Sequence, residues 1–123
     1  MKITAETMQR AAGRASELLK SLANPHRLMI VCQLIEQECS VGELAAFLGI
    51  RDSTVSQHLA LLRKDGLVAT RRDGQTIWYA ISSAPARAVV ETLYRTYCAP
   101  TSAWEPTRNK TTASRKRRLE QDQ

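Results

Sequence analysis

The sequence predicts a mainly α-helical fold that carries one β-hairpin, with the elements in the order α-α-α-α-β-β-α. Five segments have apolar residues at helical spacing, and two of them are short and separated only by a tight turn. Between the fourth and fifth helices, the pattern changes to two alternating segments around an Asp-Gly pair. A chain of 123 residues with 43% hydrophobic content is long enough for one compact domain.

The first two helices are predicted from an apolar stripe and a helix-start signal. Residues 5–22 carry the stripe of an amphipathic helix, formed by Met8, Ala11, Ala15, Leu18 and Leu22. Asn24 and Pro25 then form a helix start, because Asn accepts hydrogen bonds at the N-cap and Pro fits the first helical position. The helix predicted over residues 25–37 is apolar on most sides, so we expect it at the centre of the domain.

The third and fourth helices form a helix-turn-helix pattern. Ser40 and Glu43 form a capping box that opens the third helix, and Gly49 is suited to end it. A fourth helix is predicted from about residue 53 to residue 65, with Asp52 or Ser53 as its cap. Its buried stripe consists of Val55, Leu59 and Leu62. The second helix of such a pair is the one that enters the major groove of DNA.

The exposed face of the fourth helix is the strongest candidate for a functional surface. The side chains that could contact DNA are Ser53, Thr54, Ser56, Gln57, His58 and Arg63. Hydroxyl and amide groups can hydrogen-bond to base edges, and Gln can form a two-pronged contact with adenine. The alternative is an ordinary solvated helix face. For His58, a hydrogen bond inside the domain is an equal alternative, because this residue precedes the buried Leu59.

The hairpin is predicted from two alternating segments. Strands are expected over residues 67–72 and 75–81, with Asp73-Gly74 as a two-residue turn whose positive φ angles suit Gly. A hairpin that follows a helix-turn-helix can act as a wing over the DNA backbone or the minor groove. The residues of this wing that are expected to contact DNA are Arg71, Arg72 and Gln75.

The last helix and the residues after it differ in character. A helix is predicted to begin at Pro85, with a stripe formed by Ala86, Val89, Val90, Leu93 and Tyr97. Residues 100–123 lack such spacing and contain the basic segment Arg115-Lys116-Arg117-Arg118. We therefore predict a domain of residues 1–99 followed by a disordered basic tail.

Charge and missing motifs narrow the class of function. The net charge of +6 favours a polyanionic partner such as nucleic acid, although plain solubility is the alternative explanation. No motif of a hydrolase, kinase or nucleotide-binding protein is present, so we expect neither enzymatic activity nor a cofactor. No segment has the pattern of a signal peptide or the length of a membrane span, which favours a cytoplasmic location.

Three cysteines raise the question of redox or metal chemistry. Cys32 lies in the apolar second helix, where most cysteines are inert core residues, and Cys98 ends the last helix. Cys39, in the loop before the capping box, fits an exposed surface thiol. An odd number of cysteines in a reducing compartment argues against a disulfide framework. No metal site is expected, because there is no Cys-x-x-Cys motif and the last helix offers no His or Asp ligand.

Residues 8–98 resemble the ArsR/SmtB family of dimeric winged-helix repressors. The segments that carry the resemblance are LLKSLANPHRL (18–28), SVGEL (40–44), VSQHL (55–59), GLV (66–68) and TIWY (76–79). The combination of the Ser-Gln-His-Leu segment with the hairpin is highly specific. Within the family, the chain is similar to the BigR, SqrR and HlyU branch, whose members sense reactive sulfur species and oxidants.

This resemblance implies a mechanism. It implies a homodimer formed through the first and last helices, which binds an inverted-repeat operator in double-stranded DNA. Cys32 and Cys98 occupy the two cysteine positions of the branch, where a disulfide or longer sulfur bridge forms and DNA is released. The inducer would be a reactive sulfur species or an oxidant. The family's metal-site patterns are missing, because Cys39-Ser40-Val41 replaces Cys-x-Cys and the last helix lacks Asp-x-His.

Three alternatives stay open at this point. The chain could be a repressor of the same type that responds to a thiophilic metal or to arsenite through its cysteines. It could be a dimeric protein-interaction module whose basic surface is incidental. It could also be a nonspecific nucleic-acid binder that acts through its basic tail.

Overall fold

The computed structural model describes residues 3–98, and the predictions for residues 100–123 lie outside them. Within the described residues, the elements are α1 (Ala5–Leu22), α2 (Pro25–Glu36), α3 (Val41–Leu48), α4 (Asp52–Lys64), β1 (Val68–Asp73), β2 (Thr76–Ile81) and α5 (Ala84–Tyr97). The predicted fold class and element order are confirmed. β1 and β2 form a two-stranded antiparallel sheet.

α2 lies at the centre of the arrangement, as its apolar sequence predicts. It begins where expected, because the Asn24 side chain accepts hydrogen bonds from the N–H groups of His26 and Arg27 while Pro25 occupies the first helical position. The helix packs against α1, α3, α4 and β2. Its buried side chains are Ile30, Val31, Gln33 and Leu34. Movement of α2 would therefore be felt by every other element of the helix-turn-helix and by the hairpin.

The start of α4 differs from the prediction. The capping box of Ser40 and Glu43 is present at α3, and Gly49 ends that helix with a φ of 71°. α4, however, begins at Asp52 with Arg51 as its N-cap residue, and no side chain caps it. The prediction that Asp52 or Ser53 is the cap was wrong, because Arg51 is the last residue with extended backbone angles. Asp52 instead places a carboxylate in the first turn, where the helix dipole stabilises negative charge.

The hairpin turn lies one residue later than predicted. Asp73 pairs with Thr76 in the strand register, so the two turn residues are Gly74 and Gln75. Gly74 has a φ of 70°, which an L-residue rarely adopts and which suits glycine at the first turn position. Pairing of Asp73 with the opposite strand, rather than the identity of the turn residues alone, sets this position.

The core confirms the stripe predicted for α4. Val55, Leu59 and Leu62 are completely buried. They pack in one cluster with side chains from α2, α3, β1 and α5, including Ile30, Val31, Leu34, Leu44, Val68, Ala86 and Val90. One face of α4 is therefore fixed in the core, and the opposite face is left at the surface.

α1 has a largely exposed apolar stripe. Only Ser21 and Leu22, at its C-terminal end, are buried, whereas Met8 and Leu19 are each 55% exposed. An open groove of about 590 Å³ runs beside the helix, and it is lined by residues of α1, the α4–β1 connection and the start of α5. No helix in the described part of the chain has the length and hydropathy of a membrane span.

α5 crosses a division of the chain. Internal contacts define one unit of residues 1–90 and a second unit that begins at Glu91. In the first unit, Ala86 and Val90 belong to the core. In the second unit, Tyr97 is 79% exposed and Cys98 is exposed as well. The predicted domain boundary after residue 99 lies outside the described residues.

Candidate nucleic-acid interface

Most of the predicted contact residues of α4 lie at the surface. Ser53, Ser56, Gln57 and Arg63 are exposed, and Thr54 is half-buried. The buried stripe on the opposite side of α4 fixes the rotation of the helix about its own axis. A helix held in this way presents hydroxyl and amide groups from a rigid element, which is the arrangement needed to read base edges.

His58 turns partly towards α2. Nε of Arg27 donates a hydrogen bond of 3.3 Å to Nδ1 of His58, and the His26 ring lies edge-on at 5.5 Å between ring centroids. Burial lowers the pKa of His58, and the charge of Arg27 and the nearby His26 lower it further. Because Nδ1 accepts a hydrogen bond, the proton of the neutral imidazole lies on Nε2. A DNA contact by His58 stays a prediction, and it would use Nε2–H.

Arg27 also connects α4 to α1. Its Nη1 donates a hydrogen bond of 3.1 Å to the backbone carbonyl of Ser21. The Ser21 hydroxyl donates a hydrogen bond to the carboxylate of Asp65, directly after α4. The C-terminal end of α1 is thus joined to the middle of α4 through Arg27 and to the residue directly after α4 through Ser21. Sequence reasoning assigned no role to Arg27, although it lies in a segment that carries the family resemblance.

On the hairpin, Arg71 is held by acidic side chains. Its Nε and Nη2 each donate a hydrogen bond of 2.8 Å to the Glu38 carboxylate, in the two-pronged geometry that planar guanidinium favours. Nη1 lies 3.9 Å from the carboxylate of Asp73, and the guanidinium carbon lies 5.8 Å from the centroid of the Trp78 ring. The hydrogen bond from Arg71 is the main reason that the pKa of Glu38 is lowered.

Arg72 and Gln75 are placed differently. Both are exposed, and Arg72 donates a hydrogen bond of 3.3 Å to the carbonyl of Gly74 at the turn. Successive side chains of a strand point to opposite faces, so Arg71 and Arg72 project from different sides of the hairpin. The structure therefore brings Arg72 and Gln75 together at the tip and holds Arg71 against the α2–α3 connection.

Cys39 corrects one expectation. It is 2% exposed rather than a surface thiol, because its backbone forms a two-way bridge with Tyr79 of β2 and draws the connection onto the hairpin. Its thiol donates a hydrogen bond of 3.5 Å to the carbonyl of Gln37. Burial raises the pKa of the Cys39 thiol to about 12, and the Glu43 carboxylate adds to the rise. A thiol of this kind is inert near neutral pH.

The other two thiols are more accessible. Cys32 is half-buried and packs against the core, and Cys98 is exposed. Across residues 3–98, no three His, Cys, Asp or Glu side chains form a group that could hold a metal ion.

Known proteins resemble this chain over nearly all of the described residues. The family described as "Bacterial regulatory protein, arsR family" matches residues 24–70. The transcriptional activator HlyU of Vibrio cholerae serotype O1 is 47% identical over 93 residues, which cover 76% of this chain and 86% of HlyU. The biofilm growth-associated repressor of Xylella fastidiosa strain 9a5c is 45% identical over 97 residues, which cover 79% of this chain and 85% of the repressor.

Solved structures show the same likeness. Reduced HlyU from Vibrio cholerae has a TM-score of 0.71 at 48% identity, covering 74% of this chain and 96% of that one. The repressor BigR from Xylella fastidiosa has a TM-score of 0.72 at 45% identity, covering 79% and 99%. A homodimeric winged helix-turn-helix DNA-binding domain from Mycobacterium bovis has a TM-score of 0.62 at 27% identity, covering 76% and 86%.

Sequence identity of 45–47% over most of each relative leads to the same family as the fold, the capped helix-turn-helix and the exposed polar face of α4. The chain belongs to the arsR family of bacterial regulatory proteins, and it is a DNA-binding transcription regulator rather than an enzyme.

Proposed function

We propose that this protein is a homodimeric repressor that binds an inverted-repeat operator and releases it when Cys32 and Cys98 become linked through sulfur. The inducer in this proposal is a reactive sulfur species or an oxidant. The proposal has three parts, which concern DNA recognition, dimer formation and sensing. Each part is supported by a different feature of the molecule.

DNA recognition is assigned to α4 and to the tip of the hairpin. The exposed groups of Ser53, Ser56 and Gln57 are suited to base edges, whereas Arg72 and Gln75 at the tip are suited to phosphates. A two-fold dimer of such units would contact half-sites about 10 bp apart, one turn of the double helix.

Dimer formation is supported by the open side of α1. Met8 and Leu19 are large apolar side chains that lie more than half exposed, beside an open groove lined in part by Ala11, Ala15 and Leu18. Contiguous exposed apolar surface marks protein interfaces in soluble proteins. The Mycobacterium bovis domain with the same fold is homodimeric, which agrees with this assignment.

The sensing part is carried by one observation, the different burial of the three thiols. Cys39 is buried with a strongly raised pKa, whereas Cys32 is half-buried and Cys98 is exposed. Only the latter two combine thiol chemistry with access for a small reagent. They are also the two positions that the resemblance assigns to the sensor. One solved structure of the Vibrio cholerae relative HlyU is of its reduced form.

The chemistry of the link balances with a persulfide as the oxidant. Formation of a disulfide from two thiols releases two protons and two electrons. One persulfide RSSH accepts the two protons and the two electrons and is converted into RSH and H₂S. In a longer bridge, each additional sulfur atom would come from a further persulfide, which transfers its outer sulfur to a protein thiol and leaves as RSH.

The proposal is tested by treating the protein with glutathione persulfide, peroxide or arsenite and measuring both intact mass and operator binding. The operator can be obtained by in vitro selection with the untreated protein. We expect Cys32→Ser and Cys98→Ser each to bind the operator and to lose its release by persulfide. Cys39→Ala, the matched control, should release it normally because Cys39 is buried.

Two results would contradict the sensing part. One is release of the operator by persulfide from the double variant Cys32→Ser/Cys98→Ser. The other is release by arsenite with addition of arsenic to the mass and no effect of persulfide, which would favour an arsenite-responsive repressor.

A further inference from the structure

We propose that Glu38 limits the affinity of the hairpin for DNA by holding Arg71 in a carboxylate contact that competes with DNA phosphate. This inference deepens the proposed function, because it rests on the DNA-contacting role of the hairpin. It identifies Glu38 as an affinity-determining residue outside both the helix-turn-helix and the hairpin itself.

Two carboxylates surround the guanidinium of Arg71. The Glu38 carboxylate occupies two donors of the Arg71 guanidinium at 2.8 Å each, and Asp73 lies 3.9 Å from a third nitrogen. A carboxylate and a phosphate bind the same fork of guanidinium donors. Arg71 therefore cannot offer this fork to DNA while Glu38 occupies it.

Glu38 also lowers the net charge beside the hairpin. Arg71 and Arg72 are the two cations of β1, and both nearby carboxylates, Glu38 and Asp73, pair with Arg71. The hairpin looks basic from its own sequence, but the net charge of Arg71, Arg72, Asp73 and Glu38 together is zero. Sequence-independent attraction to DNA scales with the number of phosphates that cations neutralise, so the hairpin contributes less than its two arginines suggest.

The backbone beside Glu38 is held in place by the hairpin. Its neighbour Cys39 is buried and exchanges two backbone hydrogen bonds with Tyr79, of 3.1 Å and 2.8 Å. The backbone on one side of Glu38 is therefore tied directly to β2. Trp78, the residue paired with Arg71 in the strand register, supplies the surface over which the guanidinium lies. Exposed ion pairs are usually loose, but this one is held by its backbone and by an aromatic ring.

The experiment measures binding of a labelled random-sequence duplex by fluorescence anisotropy over a range of KCl concentrations. For Glu38→Gln, we expect tighter binding at low salt, by about three- to tenfold, and a salt dependence steeper by about 0.9 in log–log slope. Glu6→Gln is the matched control, because it makes the same change in net charge at the exposed start of α1. It should leave both quantities close to those of the wild type.

A double-mutant cycle tests whether the gain in DNA affinity of Glu38→Gln depends on Arg71. Arg71→Gln alone should lower affinity only slightly, and Glu38→Gln/Arg71→Gln should lose the gain of Glu38→Gln. Asp73→Asn, which removes the more distant carboxylate, should give a smaller gain. Melting transitions of all variants check that the fold is kept, as expected for changes at positions that are exposed or, for Glu38, half-buried.

Several outcomes would overturn the inference. One is weaker DNA binding by Glu38→Gln than by the wild type, and another is a salt dependence of Glu38→Gln equal to that of Glu6→Gln. A third is a gain in affinity that persists in Glu38→Gln/Arg71→Gln. Absence of binding by every variant at the lowest salt would overturn it as well. Failure of the proposed operator function would appear separately, as failure of in vitro selection to recover a preferred site for the wild-type protein.

Discussion

The fourth helix and the hairpin are both assigned to DNA, but their side chains are held in different ways. On α4, buried Val55 and Leu59 fix the helix while Ser56 and Gln57 stay exposed beside them. On the hairpin, the charged side chain of Arg71 is held by Glu38, which lies in the α2–α3 connection. In the proposed function, α4 therefore discriminates between sequences, whereas the contribution of the hairpin to affinity is restrained.

The largest expected effect comes from loosening the core side of α4. Leu59→Ala removes a completely buried side chain, so we expect the free energy of unfolding to fall by about 2–5 kcal/mol. Leu61→Ala is the matched control two positions away, where the side chain is 42% exposed, and it should change stability far less. Urea denaturation measures both. Equal losses for the two variants would show that the core does not fix α4.

An intermediate effect is expected at the tip of the hairpin. Arg72→Ala should weaken binding to operator and scrambled DNA by similar factors and reduce the log–log salt slope by about 0.9, because one phosphate contact is lost. Anisotropy titrations at several salt concentrations measure this. A loss confined to the operator would mean that Arg72 reads bases, and the division between helix and hairpin would then fail.

A small effect is expected from the internal contact of His58. Its folded pKa lies below the ordinary value of 6.5, mainly because of burial. As the pH falls, His58 therefore takes up a proton in the unfolded chain before it does so in the folded protein. The stabilisation by the neutral His58 contact is present above pH 6.5 and is lost as the pH falls below that value. His58→Gln should show a shallower fall in melting temperature between neutral and mildly acidic pH. The same fall in both proteins would contradict this role.

Local signals predicted most of the fold. The capping box of Ser40 and Glu43, the Asn24-Pro25 start and the buried stripe of α4 each depend on residues a few positions apart. The turn was misplaced by one residue because strand register depends on pairing across the hairpin. The cap of α4 was misassigned because side-chain preference does not reveal where the extended backbone ends.

Contacts between residues far apart in the sequence determine which side chains of the site are engaged inside the protein. Arg27 and His58 are 31 residues apart, and Glu38 and Arg71 are 33 residues apart. Cys39 was expected at the surface and is buried because its backbone bridges to Tyr79. No periodicity or motif encodes such partners, since they arise only when the α2–α3 connection packs on the hairpin. The sequence thus predicted which residues of α4 are exposed more readily than which hairpin charges are available.

The central claim, that α4 discriminates between sequences while the hairpin supplies affinity, is tested most directly by the ratio of operator to scrambled-DNA affinity in Gln57→Ala. We expect this ratio to fall by an amount equivalent to about 1–3 kcal/mol, because a base-edge contact is lost. In Arg72→Ala, the same ratio should stay close to that of the wild type. A ratio that is unchanged in Gln57→Ala, or that falls equally in both variants, would contradict the claim.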